Sequence, residues 1–338
     1  MQRIRQLFEN GRQKGMFTDF DFSVSGDVNT CFSDGDFISR DGSHLFDIAS
    51  LTKALNHLLF WKLFNSGSLN PEMRFRDFIP VPEGNGRRLW HFLCYVVKDY
   101  NFSYEALRDG TSGSFRDTLL NSGFSHWGKR FQYDNVSSAY LAFVLEKIYG
   151  MGIEEIFLNE FIQNPMYQRD RFMFHPVDRG LVSAQATIPT CMDLSLRGIV
   201  HDPLSLAHKS ENIAVAGLFT DASMLCDIFH RTLETMIGSK FYEDVSNNQL
   251  VKMGISDRSY ALGFDIPYPK SLEGFSVEKP LVFAGWTGCR IFFSRKPRIT
   301  ICFLTNRVFC KDTSVSRQDF TQFSWSVIRQ TLSEAVQC

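Results

Sequence analysis

Phe46-Asp47-Ile48-Ala49-Ser50-Leu51-Thr52-Lys53 opens the stretch that decides the fold, and it runs straight into Ala54-Leu55-Asn56-His57-Leu58-Leu59-Phe60-Trp61-Lys62-Leu63-Phe64-Asn65. Residues 50–65 contain no Gly or Pro, are apolar on several faces and stop at Ser66-Gly67, so they predict a buried helix. A serine at the start of such a helix sits beside unpaired backbone N–H groups and the positive end of the helix dipole. Lys53 follows one turn later on the same face, within reach of the Ser50 hydroxyl. A serine hydroxyl is a weak nucleophile and needs a base, and a lysine amine desolvated among apolar side chains holds its proton less tightly. Taken alone, Ser50 reads as an ordinary N-cap beside a solvated lysine. The chain holds a second S-x-x-K, Ser276-Val277-Glu278-Lys279, which precedes Pro280, starts no helix and is read as chance.

Working outward, the 338 residues are enough for one large or two small domains, and 44% hydrophobic residues are enough to bury a core. Thirty-six basic residues against 37 acidic ones make no electrostatic case for a nucleic-acid partner. Thirty-three phenylalanines point to a bulky aromatic core. No apolar run reaches the length of a membrane span, and the N-terminal stretch lacks the apolar segment of a secretory signal, so a cytoplasmic location is expected, or a periplasmic one if a signal has been trimmed. The eight cysteines (Cys31, Cys94, Cys191, Cys226, Cys289, Cys302, Cys310 and Cys338) are scattered, without zinc spacing, and are expected to be reduced.

Helical spacing marks the N-terminus, and alternation predicts strands at Phe20–Ser25 and near Asn29–Phe32. Helical patterns follow between about 87 and 190, including Val136–Tyr149, and through most of 210–255. Leu281–Phe293 and Ile299–Asn306 are β-branched and aromatic, separated by a turn at Ser294-Arg295-Lys296-Pro297, and a helix is expected over about 316–336. Strands at both ends of the chain with helices between them imply one α/β layer and an inserted helical lobe.

The segment Phe46–Lys53 closely resembles the nucleophile segment of the serine β-lactamase and penicillin-binding-protein superfamily, in the branch with class C β-lactamases, DD-peptidases and related esterases. Tyr133-Asp134-Asn135 is similar to that family's Tyr-x-Asn motif and also precedes a helical pattern. Arg197–Asp202, Ala216–Phe219 and Leu304–Val308 resemble further family segments, so the likeness spans most of the chain. It implies an α+β fold, β-lactamase/transpeptidase-like: an antiparallel sheet flanked by helices, in a single domain of an α/β subdomain (1–75 plus 200–338) and a helical subdomain (76–199). It also implies an acyl-enzyme on Ser50, with Lys53 and Tyr133 moving protons. Asn135 would orient Lys53 or the substrate amide, and the Ser50 N–H would be one oxyanion donor.

The family's third motif, Lys/His-Thr/Ser-Gly, has two registers here. Counting back without gaps from Leu304–Val308 places Phe283-Ala284-Gly285 at the motif, and the other choice is Trp286-Thr287-Gly288. The gapless register is preferred, with the Trp286 N–H as second oxyanion donor; the other register would use Cys289. Both lack the cation, which disfavours anchoring a free carboxylate there, although Arg290 stands nearby as a substitute. Asp134 replaces the usual small residue after the tyrosine and brings a carboxylate toward Lys53.

No Gly-x-Ser-x-Gly elbow, P-loop or dinucleotide fingerprint is present. His201, Asp202 and His208 lack the convergent ligands of a metal site, and His57 reads as a core residue. The sequence thus predicts a serine hydrolase without metal or cofactor, acting on a small-molecule or peptide ester or amide by esterase-like or acyl-transfer chemistry. The alternatives are a peptidoglycan DD-carboxypeptidase or β-lactamase, and a catalytically weak scaffold that binds a ligand. The oligomeric state is open.

Overall fold

A computed structural model describes residues 1–34, 45–82, 86–111, 113–122, 124–127, 130–162, 169–179, 197–247, 249–252, 254–255, 259–309 and 315–335. Cys191, Cys310 and Cys338 lie outside them, and the other five cysteines are free thiols. The frame is a seven-stranded antiparallel sheet drawn from both ends of the chain. Its members are β1 (Phe20–Gly26), β2 (Thr30–Asp34), β8 (Tyr260–Ala261), β9 (Phe264–Asp265), β10 (Leu281–Ala284), β11 (Arg290–Ser294) and β12 (Ile299–Thr305), in the order β2-β1-β12-β11-β10-β9-β8. A smaller sheet orders β3 (Phe46–Asp47), β7 (Leu218–Thr220) and β6 (Phe172–Phe174) as β3-β7-β6, and β4 (Val97–Tyr100) pairs with β5 (Phe124–Trp127). The β-rich passage expected over Leu281–Phe293 is two strands, because residues 285–289 turn the chain between them.

Alternation along the strands gives the large sheet two buried faces. On the outer face Phe20, Phe22, Phe292, Ile301 and Phe303 meet the N-terminal helix Gln2–Gln13 and the C-terminal helix Arg317–Ala335. Much of this layer is aromatic: Phe8 lies 4.8 Å from Phe20 and 5.4 Å from Phe323, centroid to centroid. The phenylalanine count is therefore largely core, as aromatic pairs at these separations add to the burial of their area. On the inner face Leu281, Phe283, Ile291, Phe293, Cys302 and Leu304 join the main core. Ala222–Glu234 packs there across β1 and β12.

The helix Leu51–Asn65, which starts directly after Ser50, runs through that core and is buried on almost every side, which explains its apolar character all round. It touches β10, Asn135–Tyr149, Ala222–Glu234 and Lys240–Val245. Where β12 ends, the Asn306 side chain binds both backbone and side chain of Thr18 and Asp19, fixing the start of β1 against the end of β12. Among the described residues no helix is long and apolar enough to cross a membrane.

Candidate active site

Ser50 is delivered by a tight turn out of β3. Ala49 before it holds φ = +46°, a left-handed conformation that costs a non-glycine residue about 1–3 kcal/mol. The wholly buried Asp47 carboxylate holds that turn: one oxygen accepts the Ala49 N–H at 2.7 Å and the other the His201 N–H at 2.8 Å. The segment around His201 thus acts through its backbone. Its neighbour Asp202 caps Pro203–Ala207 through the Ser205 N–H, and the His208 ring contacts the Leu107 carbonyl at 2.7 Å.

Lys53 is fully buried, with Nζ 2.9 Å from Ser50 Oγ and 2.6 Å from the Val215 carbonyl oxygen. The residue before Val215, Ala214, is also left-handed (φ = +52°), and its carbonyl accepts from Asn56 Nδ2. Two sharp turns from distant parts of the chain therefore converge on the Ser50–Lys53 pair. Among the described residues no cluster of metal-ligating side chains occurs.

Tyr133 lies across the pair, with the Lys53 ammonium 5.4 Å from its ring centroid. It is partly open to solvent (43% exposed), and its hydroxyl makes no hydrogen bond among the described residues. Behind it the Tyr95 ring, 4.8 Å away, is buried, and its backbone (φ = +52°) accepts the Gln132 N–H. Tyr95 Oη is 3.3 Å from His57 Nε2, and His57 Nδ1 is 3.0 Å from the Gly263 carbonyl oxygen. Burial pushes the His57 pKa down to about 3, so the imidazole is neutral and structural. A Cβ at Gly263 would fall 2.5 Å from the His57 ring, so glycine is needed where β8 and β9 turn over this histidine.

Two partners of this group differ from their expected positions. Asn135 donates to the Tyr104 hydroxyl at 3.1 Å, while the Lys53 hydrogen bonds go to Ser50 and Val215. The Asp134 carboxylate accepts the backbone and hydroxyl of Ser137, at 2.6 and 2.9 Å, so it caps Asn135–Tyr149.

The turn after β10 closes the site. Gly285 packs so tightly on the turn before Ser50 that a Cβ there would lie 2.6 Å from the Ile48 carbonyl oxygen. Thr287 is wholly buried and donates to the Asp47 carbonyl at 2.8 Å, bolting this turn to β3. Its hydroxyl is a structural tie, whereas Trp286 is 55% exposed. The N–H groups of Ser50 and Trp286 form no hydrogen bond among the described residues.

Phe283 is buried, 5.7 Å from His57 and 6.2 Å from Phe264, and fills core volume under the site. Arg290 departs most from expectation. It belongs to the outer face of the sheet, its guanidinium 5.7 Å from the Trp325 ring on the C-terminal helix, on the side opposite the Leu51–Asn65 helix. Strand alternation accounts for this: Ile291 and Phe293 point inward, so Arg290 points outward.

Sequence reading missed Asp47, Tyr95 and the Val215 carbonyl. Asp47 lay inside the quoted segment, but nothing local reveals that its carboxylate reaches residue 201.

No family model and no curated protein matches the chain at a significant level. Solved structures do. EstCE1, titled a hydrolase with promiscuous acyltransferase activity, superposes with TM-score 0.70 at 14% identity, covering 97% of this chain and 98% of that one. A family VIII carboxylesterase gives 0.68 at 13%, covering 99% and 97%. The D-alanine carboxypeptidase AmpC from Burkholderia cenocepacia gives 0.62 at 14%, covering 97% of each chain. These likenesses establish the fold: it is the one these esterase and carboxypeptidase structures share, an antiparallel sheet flanked by helices.

Proposed function

We propose that this protein is a serine hydrolase or acyltransferase that forms an acyl-enzyme on Ser50 with an ester or amide substrate. The observation that carries the reading is the 2.9 Å approach of a fully buried Lys53 amine to Ser50 Oγ, under the ring of Tyr133. When the amine is neutral, its N–H stays on Val215 and its lone pair faces the hydroxyl. As Oγ bonds to the carbonyl carbon, the hydroxyl proton passes to Lys53 Nζ. The oxyanion then rests on the N–H groups of Ser50 and Trp286, which backbone geometry holds in place at no later reorganisation cost. The proton moves through the Tyr133 hydroxyl to the leaving oxygen or nitrogen as the carbon–leaving-group bond breaks. Water or an alcohol acceptor reverses these steps to release the acyl group.

Esterase or acyl-transfer chemistry is preferred over β-lactam or peptide hydrolysis. Phe283 and Ala284 stand where the gapless register would need a cation and a hydroxyl, and Phe283 is buried. The overlay on EstCE1 and the family VIII carboxylesterase supports the same choice. The test is intact mass after exposure to a fluorophosphonate and a panel of activated esters. Wild type gains one adduct and Ser50→Ala gains none. Acylation by a fluorescent penicillin would favour the peptidase or β-lactamase reading, and an unmodified wild type would leave only a binding scaffold.

A further inference from the structure

Beyond β10, on the outer face, a groove of about 590 Å³ opens between the strand ends and the C-terminal helix. Arg290 and Arg317 both line it, with Asp265, Tyr268 and Trp325. Among the described residues the Arg290 guanidinium donates no hydrogen bond and joins no ion pair, and its Nε is sealed from solvent without a partner. Arg317 likewise has no ion pair, and its guanidinium lies 5.8 Å from the Trp286 ring. A smaller cavity of about 280 Å³ shares Ser271, Thr321 and Trp325 with the first and adds Lys270 and Arg329. Among the described residues four cations thus line the two neighbouring cavities, against one carboxylate. Burial depresses the Arg290 pKa to about 10; Asp265 offsets part of this and Arg317 adds a smaller push downward.

The groove borders elements that also build the site, although Ser50, Lys53 and Tyr133 do not line it. Ala284, which lines it, pairs with Arg290 across the strands and precedes Gly285. Arg317 lies against Trp286, and Phe131, also in the lining, is 6.0 Å from Tyr95, which backs Tyr133. A guanidinium matches a carboxylate with two parallel N–H bonds, and a half-buried one gains most from it.

We propose that this groove binds a free carboxylate remote from the scissile bond, so that the substrates are esters or amides of acids that carry a second acid group. This rests on the acyl-enzyme reading for its chemistry. It also relocates carboxylate recognition, from the strand position where Phe283 and Ala284 offer none to the far side of the same sheet.

The probes are p-nitrophenyl hemiesters of succinate, adipate and suberate, each with a methyl-capped twin. In wild type kcat/KM favours at least one free acid over its twin. That ratio falls about 10- to 100-fold in Arg290→Gln and Arg317→Gln, the loss of one charge-assisted contact. Calorimetry with free suberate on Ser50→Ala protein separates the groove from the chemistry: binding is expected, and is lost when Arg317→Gln is added. Arg317→Gln also guards against misfolding of the more buried Arg290 variant. Absence of suberate binding, or equal binding by the Arg317 variant, would overturn the groove. Failure of the acyl-enzyme reading shows separately, as absence of Ser50 labelling.

Discussion

Replacing Asp47 by alanine would test how Ser50 is held. The wholly buried carboxylate accepts two backbone N–H groups, from Ala49 and His201. Alanine leaves both donors without a partner inside the protein. Each such loss costs about 1–3 kcal/mol, so Asp47→Ala should cost about 2–6 kcal/mol. That is a large part of the 5–15 kcal/mol typical of a whole domain. Asparagine keeps one acceptor and turns its amide toward the other N–H, so Asp47→Asn should lose about half as much. Function should suffer beyond stability, because the Ala49 N–H contact is what restrains a backbone at φ = +46°. Once released, that turn can relax and carry Ser50 away from Lys53. Urea unfolding followed by tryptophan fluorescence gives the stability change. The rate of Ser50 labelling, at a denaturant concentration where each variant is still folded, gives the positional effect. An Asp47→Ala protein within 1 kcal/mol of wild type and labelled at the normal rate would refute this account of the turn.

Three further outcomes follow from other residues. Tyr133→Phe should slow acylation by about 10²–10³-fold, while its hydroxyl, which has no partner among the described residues, leaves stability within about 0.5 kcal/mol; single-turnover kinetics and a melting curve check both. Gly285→Ala forces a methyl to 2.6 Å from the Ile48 carbonyl oxygen, should cost about 1–3 kcal/mol and should depress labelling of Ser50; an unchanged labelling rate would count against contact between the two turns. Asp21, buried beside Asp221, has its pKa raised to about 7, so between pH 4 and 7 the native state holds a proton that the unfolded chain has lost. Stability should therefore fall as pH rises through that window, by up to about 4 kcal/mol. Asp21→Asn, which can still accept the Ala222 N–H, should remove this slope, and parallel urea midpoints for the two proteins from pH 5 to 8 would contradict it.

Some of this was legible in the chain because it is local. The buried helix starts where Ser50 places it, since its periodicity and its stop at Ser66-Gly67 lie within one segment. The hydrophobic runs at 281–305 announced strands, yet not the turn at 285–289, because a continuous apolar stretch carries no signal for where a buried strand ends. Arg290 looked like a substitute cation by proximity in sequence. Which side of a strand it occupies depends on register, and one residue reverses it.

The amino-acid order determined that Ser50 and Lys53 meet, because one helical turn sets their spacing whatever surrounds them. It also determined the sheet-forming ends of the chain, through composition and alternation. Only the tertiary structure decided that Asp47 holds residues 49 and 201, that Val215 receives the lysine, and that two arginines without an ion pair among the described residues line a groove behind the sheet. Those contacts join segments up to 162 residues apart. They exist only once packing has brought together groups that must satisfy their hydrogen bonds or carry their charge away from water.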